Sequence, residues 1–321
     1  MAKFGYMGGS LAVWVALAGG AMAEPVIKIA ALEGGTVNWE LATIKAEGLD
    51  TANGFTLEIM PVAGNPASQI ALQGGAVDAM VSDWFWVARQ RAEGENFQFI
   101  PYSKAVGGMQ VGAGSAAQTL ADLRGKKIGI AGGPLDKSWL ILRAYTQQKY
   151  GFDLAGESEQ VFGAPPLIME AGLSGEVDGA INFWHFMAKQ EAAGMRTIVT
   201  VSDASQALGL DPETPLLGYV VRGEWVAEHP ELAAGLAAAS NGAKAVLASD
   251  PSAFDRIRPI MNAKSDAQFE ALKAGFIAGI PAKGAVDEVA AGRMLALMAD
   301  LGGAELMGKA TTLPAGVFVS N

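Results

Sequence analysis

Very few side chains in this 321-residue chain are equipped for covalent or metal chemistry. It contains no cysteine, and its only histidines are His185 and His229. Disulfides, thiolate nucleophiles and thiolate metal sites are thereby excluded, and a multi-histidine metal site is not expected. Gly132-Gly133-Pro134-Leu135-Asp136-Lys137-Ser138 ends in Lys-Ser as a phosphate loop does, but Asp136 stands where that motif requires glycine. Nucleotide hydrolysis is therefore rejected. Gly112–Ala117 fits a dinucleotide fingerprint only loosely, and no Gly-x-Ser-x-Gly elbow occurs. Asp83 with His185 is the one acid–base pair on offer, and nothing in the sequence brings the two together. These residues point to binding without catalysis and without a cofactor.

What the chain has instead is tryptophan. Trp39, Trp84, Trp86, Trp139 and Trp184 fall at predicted carboxyl ends of strands, Trp225 does not, and Trp14 lies in the N-terminal segment. Open α/β sheets bind ligands at that edge. Aromatic walls there stack on planar rings, or attract cations at roughly 0.5–2 kcal/mol per contact. The competing assignment is core anchoring, since tryptophan is highly buried on average. As walls we take Trp39, Trp84, Trp139 and Trp184, with Asn38, Ser82, Ser138 and Asn182 as hydrogen-bonding groups and Asp83 or Lys137 selecting charge. Thr36, Phe183 and His185 complete the predicted ligand-binding set. Of Trp84, Phe85 and Trp86, one or two turn to the core, because adjacent residues cannot all face one way. The Gly132–Ser138 turn leaves two assignments open. Its helix N-terminus offers unpaired N–H donors to an anion, or Asp136 caps the helix and fills the anion's place.

Two frames of one pattern carry these residues. Gly75-Ala-Val-Asp-Ala-Met-Val-Ser-Asp-Trp-Phe-Trp86 returns one hundred residues later as Gly175-Glu-Val-Asp-Gly-Ala-Ile-Asn-Phe-Trp-His-Phe186. In each, a glycine ends a helix in the left-handed conformation. A short apolar run, Ala79–Val81 or Gly179–Ile181, then reads as a strand buried in a parallel sheet. Asp78 and Asp178 precede those strands and are assigned to turn capping. Further strands are predicted at Val26–Leu32, Phe55–Val62, Phe97–Tyr102, Met109–Ala113, Lys126–Ala131, Arg196–Val201 and Leu217–Arg222, with 203–215 a loop. Helical spacing marks 227–249, 265–278 and 286–301, a tail expected to pack on the first lobe. Ser103–Gly108 and Leu217–Arg222 are read as two crossings between lobes, the layout of a hinged clamp.

Composition agrees with two compact lobes, at 50% hydrophobic and 17% charged residues. A net charge of −10 argues against nucleic acid and anionic lipid as partners. Lys3, the apolar Leu11–Ala18 and Ala21-Met22-Ala23 read as an export signal spanning 1–23, with no cysteine for lipid attachment.

Asp122-Leu-Arg-Gly-Lys-Lys-Ile-Gly-Ile130 resembles a signature of the periplasmic solute-binding proteins of ABC transporters. The two Gly-x-Val-Asp units, Glu228-His-Pro-Glu231 and the export signal make the chain similar to the branch serving nitrate, sulfonate, taurine and thiamine pyrimidine precursors. The resemblance runs from about Pro25 to the end. It implies an α/β, type II periplasmic binding protein fold: two lobes, each a mostly parallel sheet flanked by helices, joined by two hinge crossings. Lobe 1 would be 24–106 plus 220–321, and lobe 2 would be 107–219. The resemblance also implies a monomer, free in the periplasm, that passes a small molecule to a membrane permease and its ATPase. Carried over residue by residue, the family's site falls on Gly34–Trp39, Ser82–Phe85, Gly132–Ser138 and Asn182–His185. Pro134, Leu135 and Asp136 replace the family's small hydroxyl residues, which counts against a simple inorganic anion. Without cysteines, pyrimidine synthesis by relatives that sacrifice a histidine is not expected here. The expected ligand is a small, partly planar organic solute: a sulfonate, a pyrimidine or thiamine precursor, or another heterocycle. The rival is a binding-protein fold serving as accessory to another protein, such as an oxidoreductase.

Overall fold

The chain builds two five-stranded sheets on one plan, seen in a computed structural model that describes Met1 and residues 24–319. The expected export signal and Trp14 lie outside the described residues. In the first sheet β1 (Val26–Leu32) runs parallel to β2 (Thr56–Val62) and β3 (Ala79–Asp83). Between these strands lie α1 (Val37–Ala46), the short α2 (Leu49–Ala52) and α3 (Asn65–Gln73); α4 (Trp84–Ala92) and β4 (Phe97–Ser103) follow. The chain then passes through 104–107 into β5 (Gly108–Val111), the first strand of the second sheet. That sheet continues with β6 (Lys127–Ala131), α5 (Lys137–Tyr150), β7 (Glu159–Gly163), α6 (Pro165–Ser174), β8 (Gly179–Asn182), α7 (Trp184–Ala192) and β9 (Arg196–Thr200). After α8 (Val201–Ala207) the chain returns through 208–216 to β10 (Leu217–Arg222) of the first sheet.

The strand orders are β2-β1-β3-β10-β4 and β7-β6-β8-β5-β9. In each sheet the strand adjoining a crossing runs antiparallel between two neighbours, β10 between β3 and β4, β5 between β8 and β9. Register sets Gly218 opposite Ser82 and Gly108 opposite Asn182. Crowding requires both glycines, since a Cβ would lie 2.3 Å from the Ile100 carbonyl at Gly218 and 2.6 Å from the Val199 carbonyl at Gly108.

The tail comprises α9 (Gly223–Glu228), α10 (Pro230–Ser249), α11 (Ala253–Met261), α12 (Asp266–Ala278) and α13 (Glu288–Met307). It does more than pack on the first lobe. α10 covers α1, but α12 lies against α7 of the second lobe, and α13 lies against both α4 and α5. Phe269, Leu272 and Phe276 of α12 share a core with Ala188 of α7, so apolar burial holds the tail across the seam. Phe99 and residues 317–319 then exchange backbone hydrogen bonds, covering the edge at β4.

Two local expectations differ, and two elements, β7 and α11, have no counterpart in the sequence reading. The loop 203–215 begins in α8, whose Thr200 cap accepts the Asp203 N–H. β7 is a part-exposed edge strand with little apolar patterning. Pro259 inside α11 disguises a helix. β10 lies wholly in the first sheet, so the return passage precedes Leu217.

Candidate functional site

Besides the helix contacts of the tail, two side-chain pairs near the strand ends link the lobes. In the first, Asp83 closes β3 and accepts the Trp86 N–H at 3.0 Å with Oδ1. Its Oδ2 accepts the Lys137 ammonium of the other lobe at 2.8 Å. Burial works against the Asp83 charge, but Lys137 and the Trp86 N–H outweigh it and hold the carboxyl below its usual range. Asp83 in turn lifts Lys137 above the usual lysine range. Both are charged at neutral pH. Asp136 accepts the Trp139 N–H at 3.1 Å, so capping is the assignment built at Gly132–Ser138. Burial pushes the Asp136 carboxyl up, and nearby Asp83 adds to the shift.

In the second pair Trp39 of α1 meets Trp184 of α7 edge to face, with 5.8 Å between centroids and 84° between planes. Phe276 of α12 flanks Trp39 at 5.9 Å. Gly275 makes room for Trp184, since a Cβ there would lie 2.7 Å from its ring. Beneath Trp39, the wholly buried Glu40 pairs with Lys244 at 2.7 Å and accepts the Tyr219 hydroxyl at 2.6 Å. An ion pair this deep is costly to leave half made, so it fixes the start of α1 and with it Trp39.

The other predicted residues divide. Trp84 and Trp139, expected as walls, are 0% and 1% exposed and belong to the core. The physical reason is α13: its Met294, Leu295 and Met298 join the same cluster and turn the inward faces of α4 and α5 into interior. Trp84 lies on Phe85 at 4.0 Å and against Phe318 at 5.8 Å. Asn38 and Asn182 satisfy their own lobes rather than facing a ligand. Asn38 donates to the Leu32 and Gly35 carbonyls at 2.7 and 3.0 Å. Asn182, buried, donates to the Pro165 carbonyl and accepts the Phe183 N–H, both at 2.9 Å. Thr36 is buried at the start of α1, Ser82 and Ser138 are half-buried, and Phe183 is exposed. His185 sits among Trp184 and Phe186 with Nδ1 buried and without a hydrogen-bond partner among the described residues. Burial, then the Lys189 charge, lowers its pKa to about 4, so the ring is neutral at pH 7.

Beside the ion pair a cavity of about 150 Å³ remains. Ser82, Asp83 and Lys137 line it together with Phe85, which the family resemblance includes, and with Asn65, Gln69, Trp86, Arg89 and Leu306, which the sequence reading does not. The duplicated frame held a clue to Asn65. Gly64-Asn65-Pro66 opens α3 as Gly163-Ala164-Pro165 opens α6, each helix carrying proline in its first turn. Among the described residues, no group of three His, Cys, Asp or Glu is placed to hold a metal ion. Among them too, no helix is long and apolar enough to cross a membrane.

Residues 45–253 match the family described as NMT1/THI5 like. No curated protein matches the chain by sequence. Among solved structures, the chain is similar to the periplasmic aliphatic sulphonate binding protein SsuA from Escherichia coli. There the TM-score is 0.70 and identity 17%, over 91% of this chain and 95% of that one. The alkanesulfonate-binding protein SsuA from Xanthomonas axonopodis pv. citri, bound to MOPS, gives 0.68 and 18%, over 94% and 100%. The periplasmic nitrate-binding protein NrtA from Synechocystis PCC 6803 gives 0.56 and 14%, over 78% and 69%. At these identities the likeness is one of fold, the two-lobe type II architecture of periplasmic binding proteins.

Proposed function

Because the chain belongs to the NMT1/THI5-like family, we propose that it is the periplasmic solute-binding component of an ABC importer. One lobe would comprise 24–106 and 217–321 and the other 107–216, the expected boundary at 219/220 moving because β10 lies wholly in the first sheet, and the protein would act as a monomer that delivers its solute to a permease and ATPase. The observation that carries this reading is the paired contact across the cleft, Asp83 with Lys137 and Trp39 with Trp184. Each pair joins one lobe to the other, so each parts when the hinge opens and re-forms, or grips a solute, when it closes. Trp184 supplies the aromatic surface, with Phe183 and His185 beside it; Trp39, 4% exposed while it packs on Trp184, would join that surface when the lobes part. Thr36, Ser82 and Ser138 supply polar groups, and Asp83 and Lys137 select charge.

The solute is small, in keeping with a cavity of about 150 Å³. Asp83 and Asp136 already occupy N–H donors at the starts of α4 and α5, donors that an oxyanion would use. This favours a planar, N–H-bearing heterocycle of the pyrimidine or thiamine-precursor kind over a sulfonate. The test is tryptophan fluorescence with small-angle scattering against sulfonates, pyrimidines, aromatic acids and quaternary amines. A saturable response to one class, abolished in Trp184→Ala, is the expected result.

A second reading, an accessory to another periplasmic protein, draws on the same contacts. The chain's own side chains already meet across the cleft, Trp184 against Trp39 and Lys137 against Asp83. A panel without any response, in a protein that stays folded, would favour it.

A further inference from the structure

A larger cavity, about 660 Å³, lies between α7 of the second lobe and α11 with its following turn in the first, and shares no lining residue with the cleft cavity. Its charges are Lys189 from α7, Arg258 and Lys264 from the first lobe, and one carboxylate, Asp255. In a chain with 33 acidic and 23 basic residues, three cations around one carboxylate run against the average. Arg258 is the anchored member: Asp266 pairs with it, and its guanidinium lies 4.5 Å from the Phe269 ring centroid. The two lysines are different. Among the described residues, neither Lys189 nor Lys264 has a carboxylate within ion-pair distance. Lys189 is half-buried, and burial, then the charge of Lys264, holds its ammonium below the usual lysine range. Within this cavity Lys189 and Lys264 are like charges balanced by the single carboxylate of Asp255, and their approach raises the energy of the closed arrangement. A bound anion would offset that repulsion.

We propose that this cavity binds a small multivalent oxyanion, a phosphate, sulfate or polycarboxylate, held by Lys189 from one lobe and by Lys264 and Arg258 from the other. Chelation by both lobes makes the site complete only in the closed arrangement. By linkage, the anion favours closure and closure favours the anion. Its ligand class differs from that of the cleft, so the inference stands independently of the solute captured there.

The experiment is isothermal titration of the mature protein with inorganic phosphate, sulfate and citrate in separate arms at low ionic strength. Sodium chloride at matched ionic strength is the control, and scattering is recorded on the same samples. One saturable site is expected, with a smaller radius of gyration at saturation. Lys189→Gln and Lys264→Gln should each weaken binding by about tenfold, the loss of one charge-assisted contact. Lys189→Arg should retain it. Neither lysine makes an ion pair, so the glutamine variants should melt with the parent. Equal heats from chloride, absence of a saturable isotherm, or binding unchanged in both glutamine variants would each overturn the proposal.

Discussion

The stretches 75–86 and 175–186 are the same device for seven or eight residues and different devices thereafter. Gly75 and Gly175 both take left-handed φ, +72° and +77°. Asp78 accepts the Lys28 N–H at 2.8 Å and Asp178 the Lys127 N–H at 2.9 Å, and each returns its own N–H to the carbonyl of that lysine at 2.8 Å. Ser82 and Asn182 face a glycine of the reversed strand. Then the copies part. Asp83 caps α4 and reaches across the cleft, whereas Phe183 starts α7 with no side-chain cap. Trp84 is sealed in the core, whereas Trp184 stands half-buried against the other lobe. Repeated backbone hydrogen bonding fixes where a strand ends; the next three side chains decide whether that end presents charge or an aromatic face.

The largest test of this contrast is the tryptophan pair. Trp84→Ala empties a fully buried site and should lower stability by about 3–5 kcal/mol. Trp184→Ala removes a partly exposed ring and should cost roughly 1–2 kcal/mol. Chemical denaturation measures both. Equal losses would mean that Trp184 is also a core residue and that its place at the seam has no separate consequence.

Position 185 comes next, because the first copy has Phe85 there. With a folded pKa of about 4 against an ordinary 6.5, His185 is protonated first in the unfolded chain as pH falls. Its contribution is therefore complete above pH 6.5 and is lost toward pH 4, on the order of 2–3 kcal/mol in all. His185→Phe should flatten stability across that window while leaving the rest of the acid limb in place. Denaturation at pH 7, 5.5 and 4 reads the difference, and an unchanged slope would put the acid sensitivity elsewhere.

Much of this was legible from residue types alone. The duplicated frame, its strand ends and the two-lobe α/β fold follow from glycine placement, short apolar runs and the family resemblance. Side-chain orientation was not legible, and long-range partners decide it. Trp84 and Trp139 become core because α13, more than 130 residues farther along, covers their helices. Glu40 reads locally as an acid favouring a helix start, but Lys244 and Tyr219 make it part of a buried network. Asn38 and Asn182 have the chemistry of ligand donors, yet nearby carbonyls claim them first. Asp83 and Lys137 were singled out as separate charges, and only the packed lobes make them a pair.

The smallest effects exchange the two copies at their point of divergence. Asp83→Phe deprives α4 of its cap and Lys137 of its partner, and should cost about 1–3 kcal/mol. Because the lost pair joins the lobes, scattering should show a larger particle. Phe183→Asp is the converse and should act differently. The side chain of Phe183 is 42% exposed, so little burial is forfeited. A carboxylate at the start of α7 gains the cap interaction and the helix dipole, about 0.5–1 kcal/mol. Lys137 is already paired with Asp83, so no cross-lobe pair is lost or exchanged and particle size should not change. A modest rise in stability at constant size would establish that the two ends differ by one interchangeable cap and one cross-lobe partner. A loss as large as that in Asp83→Phe would show instead that Phe183 is held by packing, and that the copies differ in their backbones as well.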